Sequence, residues 1–495
     1  MTVRPAALPA IPLTGIRPRL RRRESVLIAL VAIALVAGDI SLSATNAVAA
    51  GGPPTLGIAD PGGLAIYLAV LLGVHLAQVL AGRRTDQVLL PAVGMLGGIG
   101  LLLMERLPQD LVTQTIGGRT FGLAQIQLAW LVLALVIIGT LAIVVRSDSW
   151  LRLYKYTWAV AGIGLLVLTV LFGVEVNGVR LSLRLGPITG QPSELLKVIL
   201  VVFLAGYLSE NRSLLIEQDT RIGPLRLPPL PYLAPMLAMW AVALLVVIVQ
   251  QDLGAALLFF LVFLLLVYIA TGRKSTLVIG LLLFVVGGLL LYATIAHVRT
   301  RVDIWLDPFS DPAGAGYQVI QALHAFARGG LVGTGLGAGL PVVSGRLPIP
   351  EVQTDFPFAA LGEELGLAGI LAILGLYLVV IERGLRIAAA AADDFRALLA
   401  AGLSLVVGVQ AFIIAAGNLK LIPLTGITLP FISYGGSSLL ANALVVGLLL
   451  AISDRGVEPP PPPRPSRRSR SRLLGGSREG STGGSSGGPA AGRPS

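Results

Sequence analysis

The chain has 495 residues, 55% of them hydrophobic and 13% charged, with no cysteine and a formal net charge of +11. This composition lies outside the range of soluble globular domains and describes an integral membrane protein; it also excludes disulfides and thiolate metal sites. The excess of Lys and Arg sits in connections and tails, where the orientation of a membrane protein accounts for it without a nucleic-acid partner.

Long apolar runs, without the alternation of outer-membrane strands, predict an all-α polytopic membrane protein with about twelve helices of about 20 residues each. Residues 1–24 form a basic cytoplasmic arm that includes Arg17, Arg19, Arg21, Arg22 and Arg23, and the run that follows has no cleavage site, so it is read as a retained helix. Helices are predicted at 25–46, 63–81, 88–104, 124–145, 158–175 and 192–209. Further helices follow at 232–250, 254–271 and 276–297 and, after a long connection, at 357–382, 396–417 and 437–453.

With the N-terminus inside, alternate connections hold Arg83 and Arg84; Arg146, Arg152 and Lys155; Arg212, Arg221 and Arg226; Arg273 and Lys274; and Arg383, Arg386 and Arg396. That series obeys the positive-inside rule, puts both termini in the cytoplasm and leaves the connection at about 298–356 outside. The tail from 454 to 495 contains EPPPPPRPSRRSRSR and then Gly and Ser, a composition that cannot bury apolar area and is expected to be disordered. Its Arg cluster suits contact with anionic lipid heads, and a plain solvated tail is an equal reading.

The stretch from Asp303 to Gly366 concentrates seven acids, Asp303, Asp307, Asp311, Glu351, Asp355, Glu363 and Glu364, between two apolar runs. Within it, DPFSDPAGAGYQ reads as a shaped loop entering a helix at about Gly316, with Tyr317 and Gln318 near the helix start. Asp311 lies between chain breakers, where a carboxylate can project into a cavity and accept a hydroxyl proton; a turn-forming role is equally allowed there, and composition does not separate Asp311 from Asp307 or Asp303. The GTGLG segment has the outline of a phosphate cradle, a weak signal on its own. In TDFPFAALGEELG, Asp355 precedes the next apolar run while Glu363 and Glu364 fall inside it, so partners are expected among Arg301, Arg328 and Arg346.

Three other motifs carry polar groups at membrane depth or beside it. In QPSELLK, Glu194 and Lys197 stand three apart on one helical face and can pair, while Arg180 and Arg184 upstream suit a phosphate. In QQDLG, Asp252 sits in a short turn where it can also cap a helix. In LIPLTGITLPFISYGGSSLL, Pro423, Gly426 and Pro430 break the backbone before Ser433, and such irregularity is tolerated only against protein or a water-filled cavity. His75, His297 and His324 form no ligand cluster in sequence, so a tightly held zinc is not expected.

Together, QPSELLK, QDLG, DPAGAGYQ, TDFPFAALGEELG and LPFISYGGSS, in this order, resemble the SEDS family of cell-shape, division and sporulation proteins, over about residues 88–453. The helices at 25–81 exceed the ten-helix core of that family, as in RodA-like members. The resemblance implies a peptidoglycan glycosyltransferase that joins lipid II to a growing glycan, in complex with a class B penicillin-binding protein, a transpeptidase. It implies a catalytic role for Asp311 and substrate-binding roles for Arg180, Glu194, Lys197, Asp252, Tyr317, Gln318, Asp355, Glu363 and Ser433. Departures are Arg180-Leu181 for the usual Arg-Trp, Gln353 where the family has His, and QQDLG for QPDLG.

The expected reaction has Asp311 as general base on the acceptor hydroxyl, which displaces a lipid diphosphate with inversion. Arg180, Lys197 and a divalent cation, Mg2+ or Mn2+, offset the charge on the leaving group, and no organic cofactor is expected. Alternative readings are a flippase for lipid II and a scaffold for the transpeptidase.

Overall fold

The computed structural model describes residues 19–49, 51–116, 118–176, 179–185, 188–217, 220–222, 225–227, 230–339 and 348–454. Most of the basic arm, the tail beyond 454 and Arg346 lie outside the described residues. In chain order the elements are α1 (Arg22–Ala49), α2 (Pro61–Leu80), α3 (Leu89–Arg106), the hairpin β1 (Gln114–Ile116) and β2 (Arg119–Phe121), and α4 (Leu123–Val144). Next come α5 (Ser149–Leu153), α6 (Lys155–Phe172), the antiparallel strands β3 (Val174–Val176), β4 (Val179–Leu185) and β5 (Ile188–Gly190), and α7 (Pro192–Glu217). A hairpin, β6 (Thr220–Ile222) and β7 (Leu225–Leu227), leads to α8 (Leu230–Val249), α9 (Leu253–Thr271) and α10 (Lys274–Thr294). The chain finishes with α11 (Ala296–Leu306), α12 (Tyr317–Gly329), α13 (Pro357–Ala389), α14 (Asp394–Asn418) and α15 (Gly436–Ser453).

Eleven of these helices, among the described residues, are long and apolar enough to cross a bilayer, so the chain is a multi-pass membrane protein. The remaining predicted span corresponds to α8, 20 residues long with Pro235 inside it. α3, α7 and α14 are the most buried of the eleven and α10 the least. α7 and α14 pack on each other and on α9 and α15; α13 lies along α14, α4 along α15, and α1 and α2 lie against α3 and α4.

Because the helices alternate in direction, the ion pairs sort to two ends. At one end Arg83 pairs with Asp454 at 2.5 Å, Arg396 with Asp148 at 2.8 Å, Lys155 with Glu210 at 2.8 Å, and Arg212 with Asp394. The basic residues that the charge bias assigns to one face are therefore held there by acids from neighbouring connections. The opposite end carries the 295–356 connection and the broken segment 419–435, which passes so close to α3 that a Cβ on Gly100 would come within 2.9 Å of backbone atoms of Phe431 and Ile432.

Candidate active site

At the connection-bearing end, α11, the start of α12, the residues before α13 and the segment after α14 enclose a cavity of about 190 Å3. Its polar lining is His297, Thr300 and Arg301 from α11, Gln318 from α12, Asp355, and Lys420; Ile304, Trp305, Ile422 and Leu424 supply apolar walls. Two bonds pin α11 to the far wall, from Arg301 Nη1 to the Leu424 carbonyl at 2.8 Å and from Trp305 Nε1 to the Lys420 carbonyl at 3.1 Å. Burial pushes the Asp355 carboxyl up to about 6, against the Thr354 hydroxyl and Arg301, with Glu351 adding to the rise. Burial, then Arg301, pushes His297 below its usual range.

Asp311 does not line the cavity itself but is bonded to Ala315, which does. It follows the single turn Pro308–Ser310, is exposed, and its two oxygens accept the backbone N–H groups of Gly314 at 3.0 Å and Ala315 at 2.9 Å. The carboxylate is thus both the turn-former and a fixed acceptor with lone pairs to spare. Ala315 and Gln318, just beyond it, line the cavity.

Gly426 lines this cavity and also a smaller pocket of about 30 Å3 beneath it, formed by Gln191, Ser193, Glu194, Asp252, Gln410 and Thr428. Lys197 is buried, with its ammonium 2.5 Å from Glu194 and 2.8 Å from Gln410 Oε1. Asp252 caps α9 through the Ala255 N–H at 3.0 Å and accepts bonds from Gln191 and Ser193. Burial raises its carboxyl above the ordinary range, opposed by the Ala255 N–H and reinforced by Glu194. The QPSELLK and QQDLG motifs therefore meet in one buried network.

Among the described side chains, Glu363, Ser433 and Tyr317 line neither space. Glu363 pairs with Arg328 at 2.8 Å. Ser433 is buried, donating to the Thr354 carbonyl at 2.7 Å and accepting the Leu429 N–H at 2.8 Å, which locks the broken segment. Tyr317 begins α12 without lining either space. Arg180 lies on β4, and its side chain is outside the described residues. The phosphate-cradle outline of GTGLG does not survive: the N–H groups of Thr334, Gly335 and Gly337 are taken by the carbonyls of Glu363 and Glu364 and by Glu364 Oε2. Sequence reasoning missed Lys420 altogether and considered Arg301 only as a partner for acids. Its one available signal was the basic HVRTR run beside the acidic stretch. Among the described residues, no three His, Asp or Glu side chains are grouped to hold a metal ion.

Residues 87–456 match the model of the FtsW, RodA and SpoVE family, described as cell cycle protein. The chain is 41% identical over 406 residues to the peptidoglycan glycosyltransferase RodA of Mycobacterium tuberculosis, covering 81% of this chain and 85% of that one. It is 37% identical over 325 residues to stage V sporulation protein E of Bacillus subtilis, covering 64% and 84%. A chain from a peptidoglycan synthase complex that coordinates polymerization and crosslinking superposes with a TM-score of 0.59 at 27% identity, covering 75% of this chain and 98% of that one. The rod shape determining protein RodA of Thermus thermophilus superposes at 0.52 and 25% identity, covering 76% and 99%.

Proposed function

Since this chain belongs to the FtsW, RodA and SpoVE family of cell cycle proteins and is a peptidoglycan glycosyltransferase, we propose that it polymerises lipid II at the cavity beside Asp311. The observation that carries this reading is the continuity of the DPAGAGYQ turn with the cavity wall: Asp311 holds Ala315 by a hydrogen bond, and Ala315 lines the cavity. In the proposed step the acceptor hydroxyl attacks the anomeric carbon of the donor and its proton passes to Asp311. The carbon–oxygen bond to the diphosphate breaks, and its electron pair leaves with the lipid diphosphate, inverting the centre. A carboxylate already fixed by two N–H groups needs little reorganisation to take that proton.

Lys197, engaged by Glu194 and Gln410, acts in this reading by shaping the floor of the site. Among the described residues no acid cluster would hold a divalent cation, so one would have to arrive with the diphosphate and would supply positive charge there. The cavity end faces out of the cell and the termini face the cytoplasm, in keeping with the distribution of Lys and Arg. A class B penicillin-binding protein is the proposed partner, supported by the likeness to a chain of a complex that couples polymerization to crosslinking.

The test is polymerisation of labelled lipid II by the purified full chain, alone and with its cognate transpeptidase. Wild type is expected to make glycan, and Asp311→Asn to lose at least about 100-fold, the usual scale for a general base. An active Asp311→Asn variant overturns the assignment of the base. A wild type inactive even with its partner overturns the site.

A further inference from the structure

Among the described residues, buried and half-buried bases nearly all have an acid. Arg21 has Glu24, Arg83 has Asp454, Arg106 has Glu364, Lys155 has Glu210, Lys197 has Glu194, Arg328 has Glu363 and Arg396 has Asp148. The cavity breaks that pattern. Arg301 and Lys420 are both partly buried, and among the described residues neither has a carboxylate within ion-pair distance. Arg301 spends one N–H on the Leu424 carbonyl, while Nη2 lies along the cavity wall at Gly426, 3.7 Å from where a Cβ there would sit. The Lys420 ammonium has a single long contact, 3.5 Å to the Leu306 carbonyl.

The pair is also held in place. Lys420 sits in the left-handed region, at φ 59°, a conformation that costs a non-glycine residue free energy. The Trp305 indole, one helical turn from Arg301, holds the Lys420 carbonyl. Two cations facing one cavity, ion-paired to no carboxylate and set against the single carboxylate of Asp355 on the same lining, leave an excess of positive charge that an anion completes. The apolar walls beside them, Ile304, Trp305, Ile422 and Leu424, suit an anion attached to hydrocarbon.

Building on the glycosyltransferase reading, we propose that Arg301 and Lys420 are the diphosphate ligands of this site, gripping the two phosphates of a polyprenyl diphosphate at the mouth of the cavity. Arg301 offers a planar fork and Lys420 a mobile point charge, a combination matched to two adjacent phosphates. In the reaction they receive the negative charge that arrives on the diphosphate oxygen as the bond to the anomeric carbon breaks.

The experiment measures binding to the full chain in lipid nanodiscs of undecaprenyl diphosphate, undecaprenyl monophosphate and lipid II, for wild type, Arg301→Gln, Lys420→Gln and Arg301→Lys. Thermal unfolding of each variant is recorded in parallel. Each Gln variant is expected to weaken undecaprenyl diphosphate by about tenfold or more, the loss of a charge-assisted hydrogen bond, with an unchanged unfolding midpoint. Monophosphate binding should change less, and Arg301→Lys should recover part of the loss. Weakening of both diphosphates supports a subsite shared by the departing carrier and the sugar-bearing donor; weakening of lipid II alone supports the donor. Wild-type affinity for both in the Arg301→Gln, Lys420→Gln double variant overturns the proposal. Arg301-dependent binding by a wild type that makes no glycan keeps this subsite and removes only the enzymatic reading.

Discussion

At the scale of single residues, the cavity chemistry turns on Asp355. Its carboxyl, raised to about 6 chiefly by burial, faces Arg301 and His297 of α11, Lys420 beyond α14 and Gln318 of α12, with Glu351 behind it. As pH rises through about 6 this group gains a negative charge beside the two cations, and the cavity becomes less hospitable to an anion. As pH falls through the same window the charge is removed. The expected outcome is a KM for lipid II that rises with pH across this window in wild type and is flat there in Asp355→Asn, read from initial rates of polymerisation. An unchanged profile in the variant removes Asp355 from the site. Lys197 gives a contrasting case, because its ammonium is buried and paired. Lys197→Met leaves Glu194 without its partner and is expected to cost on the order of 3 kcal/mol, seen as a lower unfolding midpoint, whereas Glu194→Gln with Lys197→Met should recover much of the loss.

At the scale of elements, the glycine-rich connection after α12 packs backbone against backbone on the start of α13. Gly366 breaks α13 at φ 65°, and a Cβ there would lie 2.3 Å from the Gly333 nitrogen. Gly366→Ala is expected to destabilise by more than the about 1–3 kcal/mol of the backbone strain alone. Gly287→Ala, on the sparsely packed α10 with nothing within 4 Å of the added carbon, should be close to neutral; unfolding midpoints of the two variants check the contrast. The long helices were legible in the sequence because membrane-length apolarity is a strong signal, as at 124–145 against Leu123–Val144. The small α11 was not. It is short, mixes Arg299, Arg301 and Asp303 with Val298, Ile304 and Trp305, and carries no membrane-length run, so 298–356 read as one connection. The acids of the site were legible as charges out of place in an apolar chain, but which of them share a cavity was not. Glu363 and Asp355 look alike in sequence; only packing turns one toward Arg328 and the other toward Arg301.

At the scale of the whole molecule, α1 and α2 lie before the stretch matched by the family model yet are bonded to the rest at both ends. At the connection-bearing end, Thr45 Oγ1 lies 3.1 Å from the Leu336 carbonyl in the glycine-rich loop, sharing its one proton with the Ser41 and Leu42 carbonyls of its own helix. At the other end, Arg21, Glu24 and His75 are buried together: Glu24 accepts Arg21 and lies 2.6 Å from His75 Nδ1. Arg21 also donates to Thr85 Oγ1 at 2.8 Å and to the Asp86 carbonyl at 3.0 Å, on the connection that Arg83 ties to Asp454. This network lies at the opposite end of the helices from the cavity, so its energy belongs to assembly and not to the reaction. Glu24→Ala strands Arg21 in a buried position and is expected to cost about 3 kcal/mol, lowering the unfolding midpoint in detergent. Polymerisation per folded molecule, measured well below that midpoint, should stay at the wild-type rate. The opposite pattern, an unchanged midpoint with slowed polymerisation, would mean that the added helix pair transmits its state through Thr45 and Leu336 to the start of α13, and that the two ends of the bundle are coupled.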